Sequence, residues 1–134
     1  MVPNRPVYIA AQALTPFIGK GSPLFIDKSH PEFGKRQNPS LEDHLVAAIR
    51  KLFADYKIDP SVVQRGYVGN FGGELFANQG FLGAMAARAD ERLEGVGMAR
   101  MEAACASGGV SMVAAVDAIQ AGLDVVLVAG AEVQ

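Results

Sequence analysis

The chain has 134 residues, a length that suits one domain and is too short for two. Half of its residues are hydrophobic, which favours a buried core. Its 12 Lys and Arg nearly balance its 14 Asp and Glu, which argues against a basic nucleic-acid-binding face. The single cysteine excludes an internal disulfide framework and multi-cysteine zinc sites, and with only two histidines we expect no bound metal.

The sequence also bears on location. No apolar run approaches the ~20 residues that cross a bilayer. The N-terminus shows no charged region followed by an apolar signal core. We therefore expect a protein without a membrane span that is cytoplasmic rather than secreted.

The first predicted elements are a strand and a long loop. Val7–Ala11 is a β-branched and aromatic run typical of a buried strand. Residues 14–39 hold prolines and glycines without a sustained period, which predicts a long ordered loop or arm within the domain. Loops of this length are usually functional or form interfaces, and the sequence leaves that choice open.

An amphipathic helix is predicted after this loop. Ser40 followed by Asp43 resembles a capping box at its start. Apolar residues then recur at helical spacing, at Leu41, Leu45, Ala48, Ile49, Leu52, Phe53 and Tyr56. This helix is expected to cover one face of a sheet. His44 lies on it and His30 in the preceding loop, and we interpret both as structural histidines.

The remaining elements alternate between helices and strands. They are a helical turn at Ser61–Gln64, a strand at Gly66–Gly69, a turn at Asn70–Gly73, a helix from a cap at Asn78 to about Ala89, a strand near Met98–Ala103, a helix at Ser107–Ala121 and a strand at Asp124–Ala129. This order predicts a layered α/β fold with a parallel sheet, in which the last strand is buried on both faces.

The helix Ser107–Ala121 is apolar nearly all round. Its large apolar residues, spread over the whole circumference, are Val110, Met112, Val113, Val116 and Ile119. Such a helix is expected to be buried on all sides, which requires a further layer packed over it. We therefore expect residues 1–134 alone to aggregate or to need another polypeptide.

Cys105 lies at the predicted junction between a strand and this helix. A thiol at a helix N-terminus faces unpaired N–H groups, which favour the thiolate and can stabilise an oxyanion. The small residues Ala106–Gly109 allow a substrate carbonyl to approach. The pattern suits a nucleophile that forms a thioester. A lone cysteine in such a stretch is also typical of a small buried hydrophobe, so both interpretations stay open at this point.

The segment Cys105-Ala106-Ser107-Gly108-Gly109, with the Ala-rich helix and the strand that ends Gly130-Ala131-Glu132, resembles the nucleophile region of thiolases. The sequence of Glu102–Gly109 resembles the sterol-carrier-protein-2-type branch more than the standard degradative branch. The resemblance implies a layered αβαβα fold in the complete subunit. Residues 1–134 would be its N-terminal domain, most of a βαβαβαβ half, with the C-terminal half-domain outside this chain.

The resemblance also implies an activity. Cys105 would be the nucleophile of an acyl-CoA acyltransferase that forms or cleaves 3-oxoacyl-CoA, and Glu132 would end the strand after the nucleophile helix. Coenzyme A thioesters would be substrates, with no resident cofactor. The C-terminal half-domain would supply a histidine and a second cysteine, in cis or in trans, so this chain alone is expected to be inactive. The subunit is expected to form a homodimer or homotetramer.

Two positions depart from the usual thiolase pattern, and two other functions stay open. Glu102 stands where many thiolases carry Asn, and Ala131 stands where a second Gly is expected. The alternatives are a decarboxylating ketoacyl synthase of the same superfamily, which also uses a cysteine at a buried helix, and a non-catalytic thiolase-like interaction subunit.

Overall fold

A three-stranded parallel sheet organises the fold. In the computed structural model, which describes residues 5–133, the strands are β1 (Arg65–Gly69), β2 (Gly97–Met101) and β3 (Val126–Gly130), in the order β2-β1-β3. Gly69 is in register with both Met101 and Gly130, so the strands end level with one another. Because the strands are parallel, each connection must cross over the sheet. The predicted α/β class is confirmed.

Helices form the crossovers and cover both faces of the sheet. α2 (Gly73–Ala77) and α3 (Leu82–Ala87) connect β1 to β2, and α4 (Ser107–Gln120) connects β2 to β3. Val68 of β1 packs in the core that includes α3, whereas its neighbour Gly69 lies against α4. Since successive strand residues point to opposite faces, α4 covers the face opposite to α3.

The main core lies between the sheet, α3 and the first helix, α1 (Leu41–Tyr56). The side chains buried in it are Leu41, Leu45, Ile49, Phe53, Val63, Val68, Leu82, Ala86, Ala89, Leu93 and Leu127. Burial of each large aliphatic side chain contributes roughly 1.5–3 kcal/mol. The core therefore uses the apolar stripe that the sequence predicts for α1, except that Tyr56 at its end is exposed.

The capping box at the start of α1 is confirmed. The Ser40 hydroxyl accepts a hydrogen bond from the Asp43 N–H at 3.1 Å, and the Asp43 carboxylate accepts from the Ser40 N–H at 2.8 Å. The Ser40 N–H, together with the Ser40 hydroxyl that also donates to the carboxylate at 2.8 Å, stabilises the charged form and lowers the pKa of Asp43 from its ordinary value. The reciprocal bonds fix the point at which the helix begins.

The predicted strand at Val7–Ala11 is wrong. This segment has no strand pairing, and Tyr8 and Ile9 are 80% and 74% exposed. Its anchor is Arg5, whose N–H donates to Gln120 Oε1 at 3.1 Å and whose guanidinium donates to the Leu123 carbonyl at 3.0 Å. High β-propensity measures how well side chains fit a pleated, half-buried surface, and no neighbouring strand offers this segment one. Residues 14–39 contain turns but no helix or strand.

The predicted helix from Asn78 to about Ala89 is present only in part, as α3 over Leu82–Ala87. Asn78 ends α2 in a left-handed conformation, with φ at 51°, and α3 begins only after Phe81. Asparagine tolerates this conformation better than most residues, so it serves here as a C-cap rather than an N-cap. The helical turn predicted at Ser61–Gln64 lies slightly earlier, at Pro60–Val62.

The face that α4 turns to the sheet is made of small residues. Ser107, Ser111, Ala115 and Ala118 are buried there. The large apolar residues point outward instead, and Val113 is 60% exposed. Within residues 5–133 the outer face of α4 is therefore exposed, in line with the expectation that a further layer has to come from another polypeptide. The expected burial of the last strand on both faces is wrong for the same residues, because only Leu127 of β3 is buried. Within the same residues, no helix is both long and apolar enough to cross a bilayer.

Candidate active site

The carboxyl ends of the three strands meet at one edge of the sheet, and polar residues follow each of them. Asn70 and Glu102 come directly after β1 and β2, and Glu132 lies two residues beyond the end of β3. The Asn70 N–H donates to the Met101 carbonyl at 3.1 Å, which joins the first two segments. This edge is where ligands bind in open parallel α/β sheets.

Cys105 lies at this edge in a single tight turn between β2 and α4. The turn is a 3-10 helix over Ala104–Ala106, and the Cys105 side chain is exposed. Ala104 has a φ of 48°, in the left-handed region that residues with a side chain rarely adopt. Its N–H donates to Glu102 Oε1 at 2.7 Å. The strand-to-helix junction predicted from the sequence is present, and the thiol is not a buried hydrophobe.

Ser107, two residues after Cys105, holds the other side of the turn. Its Oγ accepts a hydrogen bond from the Ala103 N–H at 2.9 Å and donates to the Ala104 carbonyl at 2.7 Å. The residue is only 5% exposed. The hydroxyl thus serves backbone groups that the sharp turn would otherwise leave without partners.

Glycines around the Cys105 turn create open space on one side and close contact on the other. A Cβ added to Gly108 or Gly109 would meet no atom within 4 Å apart from the neighbouring residues and backbone of α4 itself. In contrast, a Cβ added to Gly69 would lie 2.9 Å from the Gly108 nitrogen and 3.0 Å from the Ser107 carbonyl carbon. The end of β1 therefore supports the first turn of α4 directly, while the opposite side leaves room for a substrate beside Cys105.

Glu132 binds the loop that follows β1. One carboxylate oxygen accepts from the Phe71 N–H at 2.9 Å, and the other accepts from the Gly72 N–H at 3.0 Å and from Asn70 Nδ2 at 3.2 Å. An ionised carboxylate accepts hydrogen bonds more strongly than a neutral group does. Glu132 therefore lies just beyond the end of β3, and its carboxylate fixes this loop.

Asn70 is a residue that sequence reasoning missed. It is 1% exposed, and its side chain donates to the Ala131 carbonyl at 2.9 Å and accepts from the Gly73 N–H at 3.0 Å. The predicted turn at Asn70–Gly73 is therefore a buried, hydrogen-bonded junction whose last residue already begins α2. A polar residue directly after a buried strand and before two glycines was the available signal.

Arg100 is a second residue missed from the sequence. Its guanidinium donates to the Phe71 carbonyl at 2.9 Å and pairs with Glu74 at 3.2 Å. Its Nε is the buried side-chain nitrogen without a hydrogen-bond partner in the part of the chain that the structure describes. With Glu132 on the N–H and Arg100 on the carbonyl, the backbone of Phe71 is held from both sides.

The histidines are not joined to Cys105. His30 lies in the loop before α1 and accepts a hydrogen bond from the Glu32 N–H at 3.1 Å, while His44 lies on α1. No hydrogen bond links either imidazole to the thiol within residues 5–133. Over the same range, no group of three or more His, Cys, Asp or Glu side chains is placed to hold a metal ion.

Comparison with protein families gives one match that spans these features. The family model described as the N-terminal domain of thiolase matches residues 26–133. The matched range includes α1, all three strands, the Cys105 turn and Glu132.

Proposed function

The chain belongs to the thiolase family, and on that premise we propose that the protein is an acyl-CoA acyltransferase that forms or cleaves 3-oxoacyl-CoA through an acyl thioester on Cys105. The observation that carries the proposal is the exposed thiol in a constrained turn, at the carboxyl edge of the sheet and at the start of α4. Residues 1–134 would be the N-terminal domain of the enzyme.

In the cleavage direction, the thiolate attacks the 3-oxo carbon of the substrate. The bond between C2 and C3 breaks, acetyl-CoA leaves as a carbanion that takes up a proton, and the shortened acyl group stays on the cysteine sulfur. The sulfur of free coenzyme A then attacks the thioester and releases the shortened acyl-CoA. The C-terminal half-domain would supply the histidine and the second cysteine that move these protons.

Two features of the chain fit this chemistry. The open space beside Gly108 and Gly109 admits the reacting carbonyl of the substrate close to the sulfur. The small residues of the turn place backbone N–H groups of the first turn of α4 nearby, and such groups stabilise negative charge on a reacting oxygen. Coenzyme A thioesters are substrates in this proposal, and the protein needs no resident cofactor.

Acyl loading tests the proposal. Incubation of the natural full-length protein with acetyl-CoA should add one acetyl group to the peptide that contains Cys105, and the Cys105→Ser variant should fold but show neither the adduct nor acyl transfer. Iodoacetamide should alkylate Cys105 faster than a model thiol at neutral pH. Cys105 is the only cysteine of these 134 residues, so the modified peptide is unambiguous.

The outcomes separate the alternatives. An adduct that condenses only when malonyl-CoA or malonyl carrier protein is added would instead indicate a decarboxylating ketoacyl synthase. A folded protein with no adduct and with ordinary thiol reactivity would refute nucleophilic catalysis and indicate a non-catalytic interaction subunit.

The outward-facing apolar residues of α4 support a proposal on assembly. Val113 and Met112 are 60% and 40% exposed, and a contiguous apolar surface of this kind usually marks an interaction site. We propose that the C-terminal half-domain and a second subunit, in a homodimer or homotetramer, bury this face. A cytoplasmic location is proposed with it, because a reducing compartment keeps a free exposed thiol available.

A further inference from the structure

We propose that Glu102 is a positioning residue for acyl transfer: its carboxylate holds Ala104 in the left-handed conformation and so orients the Cys105 thiol. The proposal rests on the function proposed for Cys105. It assigns a role to the position at which this chain departs from the asparagine that many thiolases carry.

The backbone of Ala104 needs such support. Its φ of 48° is unfavourable for a residue with a Cβ, and conformations of this kind persist only where the surroundings impose them. Two side chains do so. Glu102 Oε1 accepts from the Ala104 N–H at 2.7 Å, and Ser107 Oγ donates to the Ala104 carbonyl at 2.7 Å.

The two contacts hold different backbone groups of the turn. Ser107 is buried and also accepts from the Ala103 N–H, so it holds the end of the turn that is continuous with α4. The Ala104 N–H is bonded to Glu102 and not to Ser107. Without the carboxylate, the Ala104 backbone can return to an ordinary negative φ.

A rotation at Ala104 moves the thiol because Cys105 is the next residue. The first turn of α4 cannot follow that rotation, since it is packed against Gly69. The movement is therefore concentrated at Cys105 itself. A displacement of about 1 Å at a reacting atom can lower a rate by about 100-fold.

The bond requires an acceptor oxygen and not a charge. Glu102→Gln keeps a carbonyl oxygen at the same distance along the side chain, whereas Glu102→Ala removes it. Ala104→Gly offers an independent route, because glycine adopts positive φ at no steric cost. The double variant Glu102→Ala/Ala104→Gly should therefore recover activity that Glu102→Ala loses. Glu94→Ala is the matched control, because Glu94 is exposed and lies outside the site.

The experiment measures thiolysis of acetoacetyl-CoA by coenzyme A in the natural full-length protein, with kcat and KM separated. Glu102→Ala should lower kcat about 10- to 100-fold with KM changed less than about twofold. The kcat of Glu102→Gln should stay within about threefold of that of the natural protein. In the double variant, the decrease in log kcat should be at most half of the decrease in Glu102→Ala. Thermal unfolding checks that each variant is folded, and the rate of Cys105 alkylation by iodoacetamide gives a readout that does not depend on turnover.

Four results would overturn the proposal. They are an unchanged kcat in Glu102→Ala, an equal loss in Glu102→Gln, a double variant no faster than Glu102→Ala, and an equal loss in Glu94→Ala. Failure of the proposed function looks different, because either the natural protein itself would then show no acyl transfer or Cys105→Ser would keep it. If Cys105→Ser is inactive and Glu102→Ala is fully active, the function stands and only the positioning role fails.

Discussion

Substitution of Gly69 by alanine tests the contact between β1 and α4. The new Cβ would lie 2.9 Å from the Gly108 nitrogen and 3.0 Å from both the Gly108 Cα and the Ser107 carbonyl carbon. Non-bonded carbon atoms prefer about 3.5–4.0 Å, so α4 must move by roughly 0.5–1 Å. Overpacking of this kind costs about 1–3 kcal/mol. The same displacement at the start of α4 should lower acyl transfer by up to about 100-fold.

Gly66→Ala is the matched control in the same strand. Its Cβ would meet the side chain of Met98, at 3.0 Å from Cγ and 3.2 Å from Sδ, and not the backbone. A flexible thioether side chain can rotate away, so we expect a change in the free energy of unfolding within about 1 kcal/mol. Urea unfolding and thiolysis kinetics of both variants measure the contrast. Equal stability and equal rates in the two variants would refute the reasoning, because the backbone contact would then be absent.

Two further predictions concern carboxylates outside the Cys105 turn. The Asp43 pKa is lowered from 3.8 by its bonds to Ser40, so Asp43 stabilises the folded state at neutral pH and this contribution is lost as pH falls through the lowered pKa. The difference in free energy of unfolding, measured in urea, between the natural protein and Asp43→Asn should therefore shrink as the pH falls from about 5 to below the ordinary aspartate pKa. A difference that widens over this range would contradict the sign. Glu132→Ala should speed hydrogen exchange at the Phe71 and Gly72 amides, because it removes the carboxylate that accepts from both. Mass spectrometry measures the exchange, and Glu94→Ala is the control. Unchanged exchange would show that the carboxylate does not hold the loop.

Sequence reasoning succeeded where the signal is local. The capping box at Ser40 and Asp43 and the apolar period of α1 lie within one helix, so neighbouring residues determine both. The junction at Cys105 was predictable for the same reason, because a strand pattern ends and a helical pattern begins within a few residues. The predicted strand at Val7–Ala11 failed because a strand depends on a neighbour that its own residues do not specify.

The site details that were missed depend on partners far along the chain or on unusual backbone geometry. Asn70 is bound by Ala131 and Glu132, and Arg100 by the carbonyl of Phe71, and no local pattern connects these positions. The left-handed Ala104 was not predictable either, since alanine disfavours that conformation and the hydrogen bond that its N–H donates to Glu102 is visible only in three dimensions.

The strand order β2-β1-β3 has a consequence for synthesis on the ribosome. The central strand β1 borders both other strands, and its pairing with β3 joins Arg65 to Val126. Leu127 of β3 completes the core that α1 begins to build near residue 41. Closing such long-range parallel pairs is slow, and one side of β1 stays open until the chain has emerged nearly to residue 130. Through that interval the nascent chain exposes an unpaired strand edge and apolar side chains, which is the state that chaperones recognise.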